Sequence, residues 1–124
     1  MDTKGQTKYT FPKSERLTGK KSIEELFAKG SSFFIHPIVL KYQLVEGASH
    51  KILIAVSKKA LKKAVDRNLV RRRIREAYRL NKHQLSAKNN SFYNLAFIYT
   101  DQNILAYKEI ENKLCKLLQR LEKN

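Results

Sequence analysis

Asn68, Arg72, Arg75 and Arg79 follow one another at intervals of four, three and four, the spacing that lines side chains up along one face of an α-helix, and Arg71 lies beside them. Val70, Ile74 and Ala77 repeat the same offsets two positions later, roughly 200° around the helix. One side of this helix is therefore basic and the other apolar. A guanidinium is a planar, permanently charged fork of donors that grips phosphate oxygens and stacks on bases. The chemistry on offer is the binding of a polyanion, structured RNA above all, rather than the making or breaking of bonds. Lys62, Lys63 and Arg73 fall off the stripe and read as solvated surface. Arg67 and Glu76 read equally well as structural ion partners within the helix.

The charge distribution supports the same reading. The 124 residues carry a net charge of +15 at pH 7, and residues 58–79 alone hold ten basic and two acidic side chains. A solvated surface intersperses both signs, whereas a nucleic-acid face concentrates one. Other chemistries lack their residues. His36, His50 and His83 show neither metal-ligand spacing nor a neighbouring nucleophile. Asp66 and Glu76 sit among arginines that repel cations, unlike a two-metal carboxylate cluster. The four glycines are isolated and build no phosphate-cradling loop. The single cysteine, Cys115, reads as a packing residue; it excludes an internal disulfide and points to a reducing, cytoplasmic setting. No apolar run approaches the length of a membrane span.

Positioning such a helix requires a folded body, and with 42% hydrophobic residues the chain has the means for one domain. Residues 1–17 read as a basic extended arm in which Tyr9 and Phe11 could pin the chain to the body, with fraying before Tyr9. Residues 18–124 form the domain. Ser22 and Glu25 suggest a capping box, Ile23, Leu26 and Phe27 one helical face, and Gly30 a left-handed cap, predicting a short helix over 22–29. Residues 38–45 and 51–57 alternate and predict two antiparallel strands joined through Glu46–Ser49. One face carries Ile38, Leu40, Tyr42, Leu44, Ile52, Ile54 and Val56 as core; the other, with Val39, Lys41, Gln43, Leu53, Ala55 and Ser57, is mixed and open to a ligand. The basic helix should run from Leu61 to about Asn81, and a strand over 92–99, apolar on both faces, should be central. Asn103 should cap a last helix whose stripe is Tyr107, Ile110, Leu114, Leu117 and Leu121. The predicted order is α-β-β-α-β-α, a single-domain α+β sandwich around a central sheet.

The run Ala55, Val56, Ser57, Lys58, Lys59, then Lys63, Ala64, Val65, Asp66, Arg67, Asn68, then Arg71, Arg72, Ile74, Arg75, Glu76 resembles the signature of the protein component of bacterial ribonuclease P. Phe11, Lys13, Arg16, Leu17 and the segment Ile23, Leu26, Phe27, Gly30 resemble the opening of that family, so the likeness spans about residues 9 to 80. It implies a mixed sheet with an unusual left-handed βαβ crossover, a hand that periodicity could not give. It further implies an endoribonuclease holoenzyme that removes the 5′ leader from precursor tRNA, its partners being the catalytic RNA subunit and the precursor tRNA, with no membrane and no obligatory protein partner. Mg2+ would be held by the RNA subunit and none by this chain. By resemblance Lys58, Lys59, Arg67, Asn68, Arg71, Arg72, Arg75 and Arg79 would contact the RNA subunit. Phe27, Val39, Lys41, Ala55 and Ser57 would line a leader cleft between the first helix and the sheet. Three departures stand out: the usual Arg-Asn-Arg triplet ends in Leu69, which should pack instead; the turn between Lys59 and Ala64 is one residue longer; and Ile23 replaces a cleft aromatic. On composition alone, a structured-RNA-binding module such as a ribosomal protein or RNA chaperone remains an equally natural reading.

Overall fold

The computed structural model describes residues 13–86 and 91–123. Four strands, β1 (Ser31–Ile35), β2 (Ile38–Glu46), β3 (Lys51–Val56) and β4 (Ser91–Tyr99), form one mixed sheet in the order β1-β2-β4-β3. Three α-helices accompany them among the described residues, α1 (Lys20–Lys29), α2 (Ala64–Asn81) and α3 (Tyr107–Lys123), with short 3-10 turns at Lys13–Glu15 and Lys82–Gln84. β4 is central because both its faces are apolar. Tyr93, Leu95, Phe97 and Tyr99 join Ile38, Leu40, Ile52 and Val56 in the main core, and Ala96 joins Leu17 and Leu26 in a second, smaller one. α2 (through Val70, Ile74, Ala77 and Tyr78) and α3 (through Ile110, Leu114, Leu117, Leu118 and Leu121) cover the first face. α1 covers the second through Leu26 and Ile23.

Several expectations are corrected. The segments 38–45 and 51–57 are strands but do not pair with each other: β4 lies between them, antiparallel to β2 and parallel to β3. Alternation reports which residues share a face and is silent about the neighbour. β1, the strand before Pro37, carries no signal of its own in the sequence: among the described residues it pairs with β2 alone, and its five residues are too few to establish a period. The order is thus α-β-β-β-α-β-α. α1 begins at Lys20 after Gly19 (φ 94°), with no side-chain cap, so Ser22 lies inside the helix and Glu25 Oε1 instead accepts from Gln43 Nε2 at 3.5 Å. α2 begins at Ala64 rather than Leu61. Asn103 does not cap α3; its N–H donates to Asp101 Oδ1, while Ala106 N–H donates to Glu109 Oε1 at the true start of the helix. Leu69 is half-buried and lies outside both core clusters.

Gly30 is extended, φ −71° and ψ 154°, and so is not a left-handed cap. Its lack of a side chain matters for a different reason: a Cβ there would lie 2.5 Å from the Leu26 carbonyl oxygen and 3.0 Å from that of Tyr42. The glycine lets α1 turn directly into β1 against the sheet.

The chain before α1 is tied to the body at three points. Glu15 pairs with Lys82 at 2.7 Å, Arg16 bridges to Ile52 in parallel, and Leu17 N–H donates to the Ile52 carbonyl at 2.7 Å. The expected contacts of Tyr9 and Phe11, and the fraying before Tyr9, lie outside the described residues. At the same pole His50 Nδ1 accepts the Tyr93 N–H at 3.0 Å, and burial, the largest influence, lowers its pKa from 6.5.

Replacing Gly30 by Ala should lower stability by about 1–3 kcal/mol, the cost of forcing atoms into filled space, in urea unfolding. His50 yields a second expectation. The unfolded chain takes up its proton near 6.5 while the folded chain takes it up only at lower pH, so stability falls as pH drops below that value. His50→Gln, which keeps an acceptor for Tyr93 N–H, should flatten this part of a melting-temperature profile.

Candidate nucleic-acid interface

α2 forms because its sequence is rich in helix formers and free of Gly and Pro, and it is held because Val70, Ile74, Ala77 and Tyr78 are at most 1% exposed. Burying that flank turns the opposite one outward. Asn68, Arg72 and Arg75 are exposed there, and Arg71, half-buried, donates through Nη1 to Asn68 Oδ1 at 2.9 Å. Arg72 and Arg75 make no hydrogen bond or ion pair among the described residues. Lys58 and Lys59 are exposed in the connection leading to the α2 N-terminus, whose unpaired N–H groups add a positive field.

Other members of the basic run are engaged within the chain. Arg67 Nη1 donates to the carbonyls of Leu61 at 2.9 Å and Lys62 at 2.8 Å, closing the β3–α2 connection. Arg73 Nη1 donates to the Leu105 carbonyl at 2.6 Å, tying α2 to the approach to α3. Arg79 forms two hydrogen bonds to Glu76, at 3.0 and 2.7 Å. The bond to Arg79 holds the Glu76 carboxyl below its usual range. The expected stripe thus divides: Asn68, Arg71, Arg72 and Arg75 face outward, the three arginines with no carboxylate partner among the described residues, whereas Arg67 bonds to backbone carbonyls and Arg79 to Glu76.

Sequence reasoning passed over Arg16 as a binding residue. With Arg71 and Arg75 it lines a cavity of about 210 Å³ beside Leu17, Thr18 and residues 52–54. Its signal was position alone, since it lies in the opening segment far from the basic run.

The second sheet face is also assembled by pairing. Val39 stands beside Ile98 and Ile98 beside Ala55, while Lys41 stands beside Ala96 and Ala96 beside Leu53. α1 crosses the row of Ala96 and Leu53 through Leu26 and Ile23. The row Val39–Ile98–Ala55 lies two residues further along the strands, about 7 Å away, and is half-buried. Phe27, one helical turn past Ile23, is 39% exposed and belongs to no core cluster. Ser57 Oγ accepts the N–H groups of Lys59 and Ala60 at 3.1 and 3.3 Å, shaping the exit from β3. Among the described residues no three His, Cys, Asp or Glu side chains converge to hold a metal ion, and no helix is long and apolar enough to cross a membrane.

The family model described as Ribonuclease P matches residues 11–122. The chain belongs to the ribonuclease P protein family. The ribonuclease P protein component of Porphyromonas gingivalis is 34% identical over 120 residues, covering 90% of this chain and 86% of the relative. That of Petrotoga mobilis is 32% identical over 122 residues, covering 91% and 96%. The fold is that of the ribonuclease P protein from Thermotoga maritima, with a TM-score of 0.73 at 23% identity over 86% of this chain and 96% of the other. The Staphylococcus aureus protein gives 0.71 at 23% identity over 89% and 97%. As a ribonuclease P protein component, the chain is the protein subunit of a ribonucleoprotein endoribonuclease and a partner of its RNA subunit.

Arg67→Ala should lower the melting temperature by removing two hydrogen bonds to backbone, each worth about 0.5–1.5 kcal/mol or more when charged. Arg72→Ala with Arg75→Ala should leave the circular-dichroism melt unchanged. That pair should instead weaken binding of the RNA subunit and reduce the slope of log affinity against log salt by about 1.4–1.8, at 0.7–0.9 per lost phosphate contact. A melt that moves with the double variant, or an unchanged slope, would contradict the division of the stripe.

Proposed function

We propose that this subunit assists the RNA-catalysed removal of the 5′ leader from precursor tRNA by holding the RNA subunit on α2 and the leader on the second sheet face. The observation that carries the reading is the uncompensated cluster of Arg72 and Arg75, exposed on a helix whose opposite flank is locked in the core. Lys58, Lys59, Asn68 and Arg71 extend this surface. Arg67 and Arg79 support it from within, the one by closing the connection before α2 and the other by its bond to Glu76.

The leader would lie along Val39, Ile98 and Ala55. Ala55 has little side chain to keep a backbone away, Lys41 supplies a cation for a phosphate, and Phe27 offers an exposed ring for a base. Mg2+ chemistry is assigned to the RNA subunit, because an arginine-lined surface repels cations. Its role there would be to activate the attacking water and stabilise the leaving oxygen, while this chain's residues bind and orient the RNA. With its lone thiol free, the chain suits the reducing cytoplasm.

Purified chain, cognate RNA subunit and precursor tRNA should together yield mature 5′ ends faster than the RNA subunit alone at limiting magnesium. No gain over RNA alone would favour a general RNA-binding module, and cleavage by the protein alone would require a protein active site. Phe27→Leu should weaken binding of leader-bearing tRNA by about 1 kcal/mol, the low end of a stacked base, with mature tRNA unaffected. Equal loss for both substrates, or none for either, would place the leader elsewhere.

A further inference from the structure

A cavity of about 380 Å³ opens where the β2–β3 loop, the start of β4 and the end of α2 meet, lined by Glu15, His50, Tyr78, Lys82, His83 and Phe92 among others. It contributes nothing to either surface described above, yet its volume falls in the range of sites that bind small organic groups.

Its walls are aromatic and fixed. The His50 ring meets Phe92 edge to face at 5.2 Å and stacks on Tyr93 at 5.7 Å, while its Nδ1 is held by the Tyr93 N–H. Its interior charge is compensated. Lys82 Nζ is 2.7 Å from Glu15 Oε1, both side chains being largely covered, and burial keeps His50 toward its neutral form. A phosphate would gain little there, whereas a flat, uncharged ring with hydrogen-bonding edges fits the lining.

The cavity also sits at the end of a line of cations. Arg71 and Arg75 share one face of α2, and Lys82, just past the helix C-terminus, lies about 10 Å beyond Arg75 along the axis. The Arg16–Arg71–Arg75 cavity lies alongside that face. Arg71, bonded only to the neutral Asn68, and Arg75, with no carboxylate partner among the described residues, stand next to a neutral aromatic slot, and together these are the two halves of a nucleotide site. One half suits backbone phosphates, and the other suits a base splayed out of its stack, as unpaired RNA bases commonly are.

We propose that this cavity receives one unpaired base of the RNA subunit, with the neighbouring phosphates on Arg71, Arg75 and Arg16. The inference rests on the reading above that α2 holds the RNA subunit, and it adds a contact that is not electrostatic.

Ala48 lines the cavity and is exposed in the β2–β3 loop, so Ala48→Trp fills the space without touching the core or the basic stripe. In the full chain this variant should keep the wild-type melt, bind the RNA subunit about 5- to 150-fold more weakly, the worth of one stacked base, and keep the wild-type salt slope. Base-modification footprinting of the assembled RNA subunit should show one unpaired base that the wild-type chain protects and Ala48→Trp does not. Unchanged affinity and footprint with an intact fold would overturn the proposal, as would a loss accompanied by a reduced salt slope. Should Ala48→Trp fail to fold, His83→Ala on the exposed rim takes its place, and an unaltered footprint there would overturn the proposal too. If the wild-type chain does not bind the RNA subunit, the partner assignment fails and the inference with it. If the wild type binds and the filled variant is indistinguishable from it, the inference alone fails.

Discussion

The burial of one flank of α2 is the constraint on which both halves of this molecule rest. Val70, Ile74, Ala77 and Tyr78 are almost fully buried against the sheet and α3, and burying a large apolar side chain contributes about 1.5–3 kcal/mol. Like charges one turn apart on a helix cost about 0.2–0.5 kcal/mol per pair. Packing therefore outweighs the repulsion among the outward arginines, and the helix presents them in place before any RNA arrives. The polyanion meets a surface already shaped, so its binding need not also order α2.

The same comparison explains why some arginines are spoken for. Arg67 and Arg73 reach backbone carbonyls in the connections that precede α2 and α3, positions where loops turn and carbonyls lack strand or helix partners. Arg79 is balanced by the adjacent carboxylate of Glu76, an exposed pair of small energetic worth that nevertheless lowers the local field. What remains unbalanced is a compact patch around Arg72 and Arg75. Counterion release there depends on those few residues and not on the whole of the +15 charge.

The α2 face was legible in the sequence because a 3.6-residue period states directly which side chains share a side. The central position of β4 was legible because an element apolar on both faces has to be covered on both. Strand neighbours were not: β2 and β3 are close in sequence but separated in space by β4, and no local pattern encodes the insertion of a strand that begins 35 positions after β3 ends. Cap residues misled for a related reason. Ser22 and Asn103 have the right chemistry for caps, but the chain turns elsewhere, at Gly19 and Ala106. The partners of Arg67 and Arg73 are backbone atoms, invisible to any residue-type argument. Leu69 departs from the family triplet and yet stays only half-buried, since the core was already filled by Val70 and Ile74 on the flank beside it. The place of Arg16 beside Arg71 and Arg75 is likewise set by the strap that carries it, which no local pattern reports.

That strap, Arg16 and Leu17 running beside Ile52, occupies the outer edge of β3. An open edge is a template for further strands, and here the chain supplies its own blocking segment from upstream of the first helix. The strap therefore has two duties at once: Leu17 fills the smaller core beside Leu26 and Ala96, and its N–H closes the Ile52 carbonyl that would otherwise stand open to a strand from a second molecule beside a row of cations.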